Sequence, residues 1–344
     1  MSARAIVRLT HDCDNACVFC GQRGLSGSLP FAREDLVALR ERFDEVSFVG
    51  GEPSLDARLA SAIAAARELG FTAIGLQTNA RALAHADLRL AELHAAGLGD
   101  LQLSIHAPSA AEHDYHTGRP GSFAAAIDLL ERARRRGLIC VVASVVTRSN
   151  FRELPRMPAL LKRHGVSAWL IEWVRPFGRA GESFARVVPR FGMALPWALA
   201  ALEQARRVDL SAWIRGAAIC TLGRFAGQAL ADAPRSYPAA CEGCVARSRC
   251  VGVDARYLDH FGAGELDARR AAVDAAATRS PDAGRLRLQR MFVGVGELVE
   301  PASELAERGL AGKIDGKIDG KHRRLPVLAE VVAPRAESEP HEPT

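Results

Sequence analysis

The chain has almost no lysine: Lys162, Lys313, Lys317 and Lys321 are the only ones in 344 residues, so the net charge of +5 and the pI ≈ 8.9 come from arginine. Acidic residues are spread among the arginines, which leaves no concentrated basic face of the kind that tracks a phosphate backbone, and nucleic acid is not an expected partner. Long apolar runs are missing too. None approaches the roughly 20 residues that cross a bilayer, so no membrane partner is expected. The opening MSARAIVRLT holds no apolar signal-peptide core ahead of the first cysteine. The expected compartment is therefore the cytoplasm, where thiols stay reduced.

Against these absences stand eight cysteines and 48% hydrophobic residues. In a reducing compartment the cysteines read as metal ligands or reactive thiols and not as disulfides. Short apolar or β-branched runs at 5–10, 45–49, 73–78, 101–105, 138–147 and 168–174 alternate with helical periodicity at 32–43, 56–69, 87–96, 122–136 and 153–164. That rhythm implies parallel strands joined by right-handed crossovers. The expected fold is α/β, a partial (β/α)6 TIM-like barrel over residues 1–180, with its site at the C-terminal strand ends. A helical connector at 181–215, including a helix near 194–207, leads to a strand-poor, cysteine-bearing small domain at 216–302. From 303 onward the repeated GKIDGKID and the closing ESEPHEPT predict a linker and a disordered tail without catalysis.

The sharpest motif is CxxxCxxC, formed by Cys13, Cys17 and Cys20 directly after the first strand. Three thiolates on one short loop can wrap an iron–sulfur cubane and leave one iron open. Zinc is the alternative, with His11 as fourth ligand, although common zinc spacings bring a second cysteine or histidine pair. The second strand ends in Gly50, Gly51, Glu52 and Pro53, where glycines permit close backbone approach. Together with the aromatic Phe19 before Cys20, these motifs give a sequence that resembles the radical S-adenosylmethionine (radical SAM) superfamily. The likeness runs over residues 5–180 and includes Leu103–Ser104–Ile105–His106, His113–Asp114 and Arg119–Pro120–Gly121–Ser122–Phe123.

The resemblance implies that Cys13, Cys17 and Cys20 bind a catalytic [4Fe-4S] cluster whose fourth iron is chelated by S-adenosylmethionine (SAM). It implies that the Gly50–Pro53 turn holds the methionyl amine through backbone carbonyls and Glu52, that Ser104 meets the ribose, and that Arg119 meets the methionyl carboxylate. Asn150 is a candidate for the adenine region or a helix cap. An electron donor such as a flavodoxin or ferredoxin is implied as a partner. No catalytic side chain is assigned.

A second constellation, Cys220, Cys241, Cys244 and Cys250, suits zinc or an iron–sulfur cluster by spacing alone. It resembles part of the auxiliary-cluster domains called SPASM and twitch, together with Gly252, Tyr257 and Phe261. The full SPASM pattern would place another cysteine where Asp254 stands, so the resemblance implies one additional [4Fe-4S] cluster in a twitch-like domain, with Cys220 as fourth ligand. Cys140 lies in an apolar run and reads as core. His106 reads as structural or proton-handling, and Glu172 as either facing the barrel or pairing with Arg175. The expected substrate is a peptide or protein, with a small molecule of cofactor or natural-product biosynthesis as the alternative. A non-catalytic iron–sulfur or zinc protein is the reading from another class.

Overall fold

The computed structural model describes residues 4–230, 232, 235–269 and 283–292. The expected linker and tail from 303 lie outside the described residues. Seven strands, β1 (Arg4–Thr10), β2 (Glu45–Gly50), β3 (Ala73–Thr78), β4 (Asp100–Ser104), β5 (Ile139–Val146), β6 (Ala168–Trp173) and β7 (Ser211–Arg215), pair in parallel and in chain order. The crossovers carry α1 (Arg33–Arg40), α2 (Leu59–Glu68), α3 (Asp87–Ala96), α4 (Ala110–Thr117), α5 (Ser122–Arg135), α6 (Met157–Arg163), α7 (Gly178–Glu182), α8 (Phe184–Val187) and α9 (Phe191–Arg207). After the sheet come α10 (Ala255–Phe261) and α11 (Ala283–Phe292). No helix among the described residues is long and apolar enough to cross a membrane.

All six expected strands are present. The seventh, β7, lies in the stretch read as a helical connector, so residues 181–215 complete the sheet as well as leading out of it. Five residues after a long helix carry little period-two signal of their own, and β7 is a strand because β6 offers it an edge.

Alternation along β1 sorts its side chains between two environments. Ala5, Val7 and Leu9 are fully buried among the outer helices, whereas Arg4 and Ile6 face inward. Arg4 makes a bidentate pair with Asp100 on β4, 2.7 Å for each bond, and a 3.2 Å bond to Glu45. Strands β1 and β4 are three spacings apart, about 14 Å in a flat sheet, which the two side chains together do not span. Their contact requires the sheet to curl into an open barrel.

The interior is divided. On the β1–β4 side it is polar, with Arg4, Ser47, Asp100 and Gln102 around a cavity of about 110 Å³. On the β5–β7 side Val141, Ala143, Ala168, Leu170 and Trp213 form an apolar cluster completed by Met291 and Phe292 of α11. Arg290 reaches Glu45 at 2.8 Å and Arg215 donates to the Phe292 carbonyl, so α11 closes the base of the barrel.

Removing one partner of a buried pair strands the other charge. Asp100→Ala is expected to destabilise the fold by about 3–5 kcal/mol, read from urea unfolding, and replacing both Arg4 and Asp100 by apolar residues should recover most of that loss.

Candidate active site

The strand ends opposite α11 surround a cavity of about 510 Å³ whose wall includes Cys13, Cys17, Cys20, Ser104, His106 and Trp173. This is a volume ordinary for a ligand site. The cysteine loop is seated on β2 by main chain: Gly51 N–H donates to the Thr10 carbonyl at 2.8 Å and Glu52 N–H to the Asp12 carbonyl at 2.7 Å. A Cβ on Gly50 would stand 2.5 Å from the Thr10 oxygen, and one on Gly51 would collide with the carbonyls of His11 and Asp12. The glycines therefore admit the cysteine loop itself, a role the sequence reading had given to ligand approach.

Glu52 is fully buried and its carboxylate is taken up by protein donors. Oε1 accepts from Ser54 Oγ, from Ser54 N–H and from Thr78 Oγ1 at 2.8 Å, while Oε2 accepts from Asn79 N–H at 2.6 Å. It ties the ends of β2 and β3 together, and neither it nor Pro53 lies on the cavity wall. Burial raises its pKa, opposed by these bonds. Arg119 is also away from the wall: it is exposed, and its Nε donates to the Asp14 carbonyl at 2.8 Å, bracing the cysteine loop from outside. Ser104 does face the cavity.

Burial, then the neighbouring Cys20 and Cys13, pushes the Cys17 thiol up to about 12, and burial raises Cys13. Cys17 and Cys13, whose ionisation is disfavoured by burial and by nearby negative charge, call for a cationic partner. Arg179, which donates to the Ala16 carbonyl, opposes the shift of Cys17 only in part. Among the described residues no three His, Cys, Asp or Glu side chains converge on a single ion. A cubane, with one thiolate on each of several irons, does not need such convergence. The donor set suits a three-thiolate cluster.

Three histidines, His106 and His113 of the motifs noted above and His116, pack beside the cavity. His106 N–H donates to His113 Nδ1 at 3.1 Å, and Val145 N–H donates to His106 Nδ1 at 3.2 Å. The rings of His106 and His113 stack 5.5 Å apart. His116 Nδ1–H donates to the Glu112 carbonyl at 2.6 Å. His113 and His116 are carried by α4, which was missed although Ser109 and Glu112 form an S-x-x-E start signal, with Ser109 Oγ capping Glu112 N–H. Asn150 is wholly buried, donating to the His106 and Val145 carbonyls and accepting from Thr147 N–H. It clamps β4 to β5 and is not a wall residue.

In the second group all four thiols are near enough to influence each other: Cys241 is raised by burial and then by Cys220, Cys250 and Cys244. Cys250 Sγ accepts from the N–H groups of Ile219 and Gly252, each at 3.4 Å. Among the described residues Cys244 and Cys250 pack against a small cluster of Ile219, Ala226 and Ala246, and Cys220 and Cys250 also pack against the main core. An aromatic series, Trp173–Phe191–Tyr257–Phe261, with centroids 4.9, 4.5 and 4.9 Å apart, connects the cavity wall to this region. Glu172 lines the cavity and pairs with Arg215 at 2.8 Å, not with Arg175. Cys140 is buried in β5, as expected of a core residue.

Two consequences are measurable. Gly51→Ala should displace the cysteine loop and cut bound iron and sulfide severalfold after anaerobic reconstitution, with the helical circular dichroism preserved. Burial also holds His113 down at about 4, against an ordinary 6.5. Between those values the unfolded chain binds more protons than the folded one, so stability is full above pH 6.5 and falls as pH drops toward 4. His113→Asn, whose side-chain oxygen can accept the same N–H, should flatten that slope in unfolding curves taken at several pH values.

Comparison with known proteins agrees with this geometry. Residues 7–157 match the family model described as the radical SAM superfamily. The chain is 28% identical over 187 residues to the AdoMet-dependent heme synthase of Oleidesulfovibrio alaskensis, covering 52% of this chain and 47% of that protein. It is 30% identical over 219 residues to the PqqA peptide cyclase of Xanthomonas campestris pv. campestris, covering 59% and 54%. The matched part thus spans about half the length of these relatives. Among solved structures, Streptococcus suis SuiB bound to precursor peptide SuiA shares the fold with a TM-score of 0.50 at 15% identity, covering 65% of this chain and 50% of that one. Over residues 7–157 the chain is thus similar to the radical SAM superfamily.

Proposed function

We propose that the chain is a radical SAM enzyme that modifies a peptide or protein. The observation that carries this reading is the seating of Cys13, Cys17 and Cys20 by the Gly51 and Glu52 main chain, at the mouth of a cavity large enough for cofactor and substrate. Cys13, Cys17 and Cys20 hold the cluster, with SAM on the remaining iron. The chemistry these cofactors supply when bound is reductive cleavage of SAM to methionine and a 5′-deoxyadenosyl radical, which takes hydrogen from the substrate. The methionyl amine falls to backbone carbonyls around Gly50 and Gly51, and the ribose to Ser104. The β4–β6 strand ends, Trp173 among them, restrict water around the reacting centre.

Cys220, Cys241, Cys244 and Cys250 hold a second [4Fe-4S] cluster in a twitch-like region that begins after β7. A flavodoxin or ferredoxin type of donor supplies electrons, and the eight free thiols suit the reducing cytoplasm. The peptide reading draws on the similarity to PqqA peptide cyclase. A small-molecule substrate is the second reading, supported by the similarity to AdoMet-dependent heme synthase.

The test is anaerobic reconstitution, reduction with dithionite in the presence of SAM, and assay of 5′-deoxyadenosine. The wild type is expected to form it, and a Cys13/Cys17/Cys20→Ala variant to form none. A Cys241/Cys244/Cys250→Ala variant should lose about half of its iron, as expected for one of two equal clusters. A fully loaded wild type that forms no 5′-deoxyadenosine contradicts the proposal.

A further inference from the structure

Beyond the cysteine loop, the cavity wall carries the charged side chains Arg23, Arg175, Arg179 and Glu172. Most of that charge is engaged. Arg23 pairs with Glu182, Arg179 braces the carbonyls of Ala16 and Cys17, and Glu172 is met by Arg215. Arg175, just past the end of β6, differs from the others. It shares a single carboxylate, Asp232, with Arg235, which lies at 2.9 Å and is itself nearly buried. Among the described residues this connected group holds Arg175, Arg215 and Arg235 against Glu172 and Asp232, a surplus of one positive charge.

The surplus is accessible at one place. The Arg175 side chain is 44% exposed, whereas that of Arg235 is 7% and that of Arg215 is 19%. Arg175 uses one nitrogen, NH2, on Asp232, makes no other side-chain hydrogen bond among the described residues, and is part of the cavity wall. A planar guanidinium with free N–H groups, fixed on one side by a carboxylate and open on the other, matches a second carboxylate. Arg235 would keep Asp232 paired if Arg175 were replaced, so the fold does not depend on this contact.

We propose that Arg175 is a specificity-determining residue that anchors a carboxylate of the substrate at the cavity wall. This rests on the reading of the cavity as the substrate site of a radical SAM enzyme and narrows it to acidic substrates. On the peptide reading, the modified segment carries an aspartate or glutamate beside the reacting residue. Trp173 and Phe177, on the same wall, would cover the apolar part of that segment.

The test is calorimetric titration of the reconstituted, SAM-bound protein under anaerobic conditions. The probes are acetyl-Gly-Glu-Gly-Glu-Gly-amide, the corresponding glutamine peptide, and glutarate. The acidic peptide should bind about tenfold more tightly than its amide counterpart, the worth of one charge-assisted contact. Arg175→Gln should remove the difference, Arg175→Lys should keep part of it, and Arg175→Glu should reverse it. Glutarate that displaces the acidic peptide supports the anchor and assigns it to small acids as well, while glutarate without effect supports a peptide carboxylate. Equal binding of both peptides, no binding of either, or an undiminished preference in Arg175→Gln overturns the proposal. Formation of 5′-deoxyadenosine by the wild type is scored separately. Its absence contradicts the enzyme class and leaves the charge preference to be read by itself.

Discussion

The arrangement of the site depends on a close approach of two stretches of main chain. The segment after β1 lies so near the end of β2 that the Thr10 and Asp12 carbonyls take the N–H groups of Gly51 and Glu52 directly. Side chains at 50 and 51 would forbid it. Glu52 then fixes β2 to β3 with a buried carboxylate whose hydrogen bonds offset its desolvation in part. The cysteines are thus placed by backbone geometry, reinforced by side chains from other elements, among them Arg81 on the Asp14 carbonyl and Arg179 on the Ala16 carbonyl. Asn79 adds a contact, donating to the Asp14 carboxylate at 2.7 Å, and Arg119 adds another from outside.

A second constraint is the curl of the sheet, enforced on one side by Arg4–Asp100 and on the other by the apolar packing of α11 against β5–β7. The two halves of the interior therefore solve different problems. The polar half carries buried charge that must be matched, and the apolar half is filled by a helix from beyond the cysteine-bearing region. The cavity lies at the opposite end of the barrel from the closure by α11. The aromatic series from Trp173 to Phe261 meanwhile ties the cavity to the second cysteine group, so the two candidate metal sites share one packed framework.

Much of this was legible in the chain. Six strands showed because each is an apolar or β-branched run bounded by polar turns, and the two cysteine groups showed because ligand spacing is local. What escaped depends on contacts distant in sequence. β7 is five residues long and is defined by pairing with β6. α11 is arginine-rich, and its docking residues, from Arg285 on the Trp213 ring to Met291 and Phe292, meet strands distant in sequence. The protein partners of Glu52 and Arg119, namely Thr78, Asn79 and Asp14, come from other elements and carry no local signal. The histidines of α4 were within reach, since Ser109 and Glu112 mark the start of their helix.

The most direct test of the account is electron paramagnetic resonance of the reduced chain carrying Cys241/Cys244/Cys250→Ala, so that only the N-terminal site is loaded, recorded with and without SAM. The account predicts a [4Fe-4S] signal that changes shape when SAM is added, because SAM would occupy the iron that Cys13, Cys17 and Cys20 leave open. A signal indifferent to SAM, or no cluster signal from a protein that retains bound metal, would contradict it.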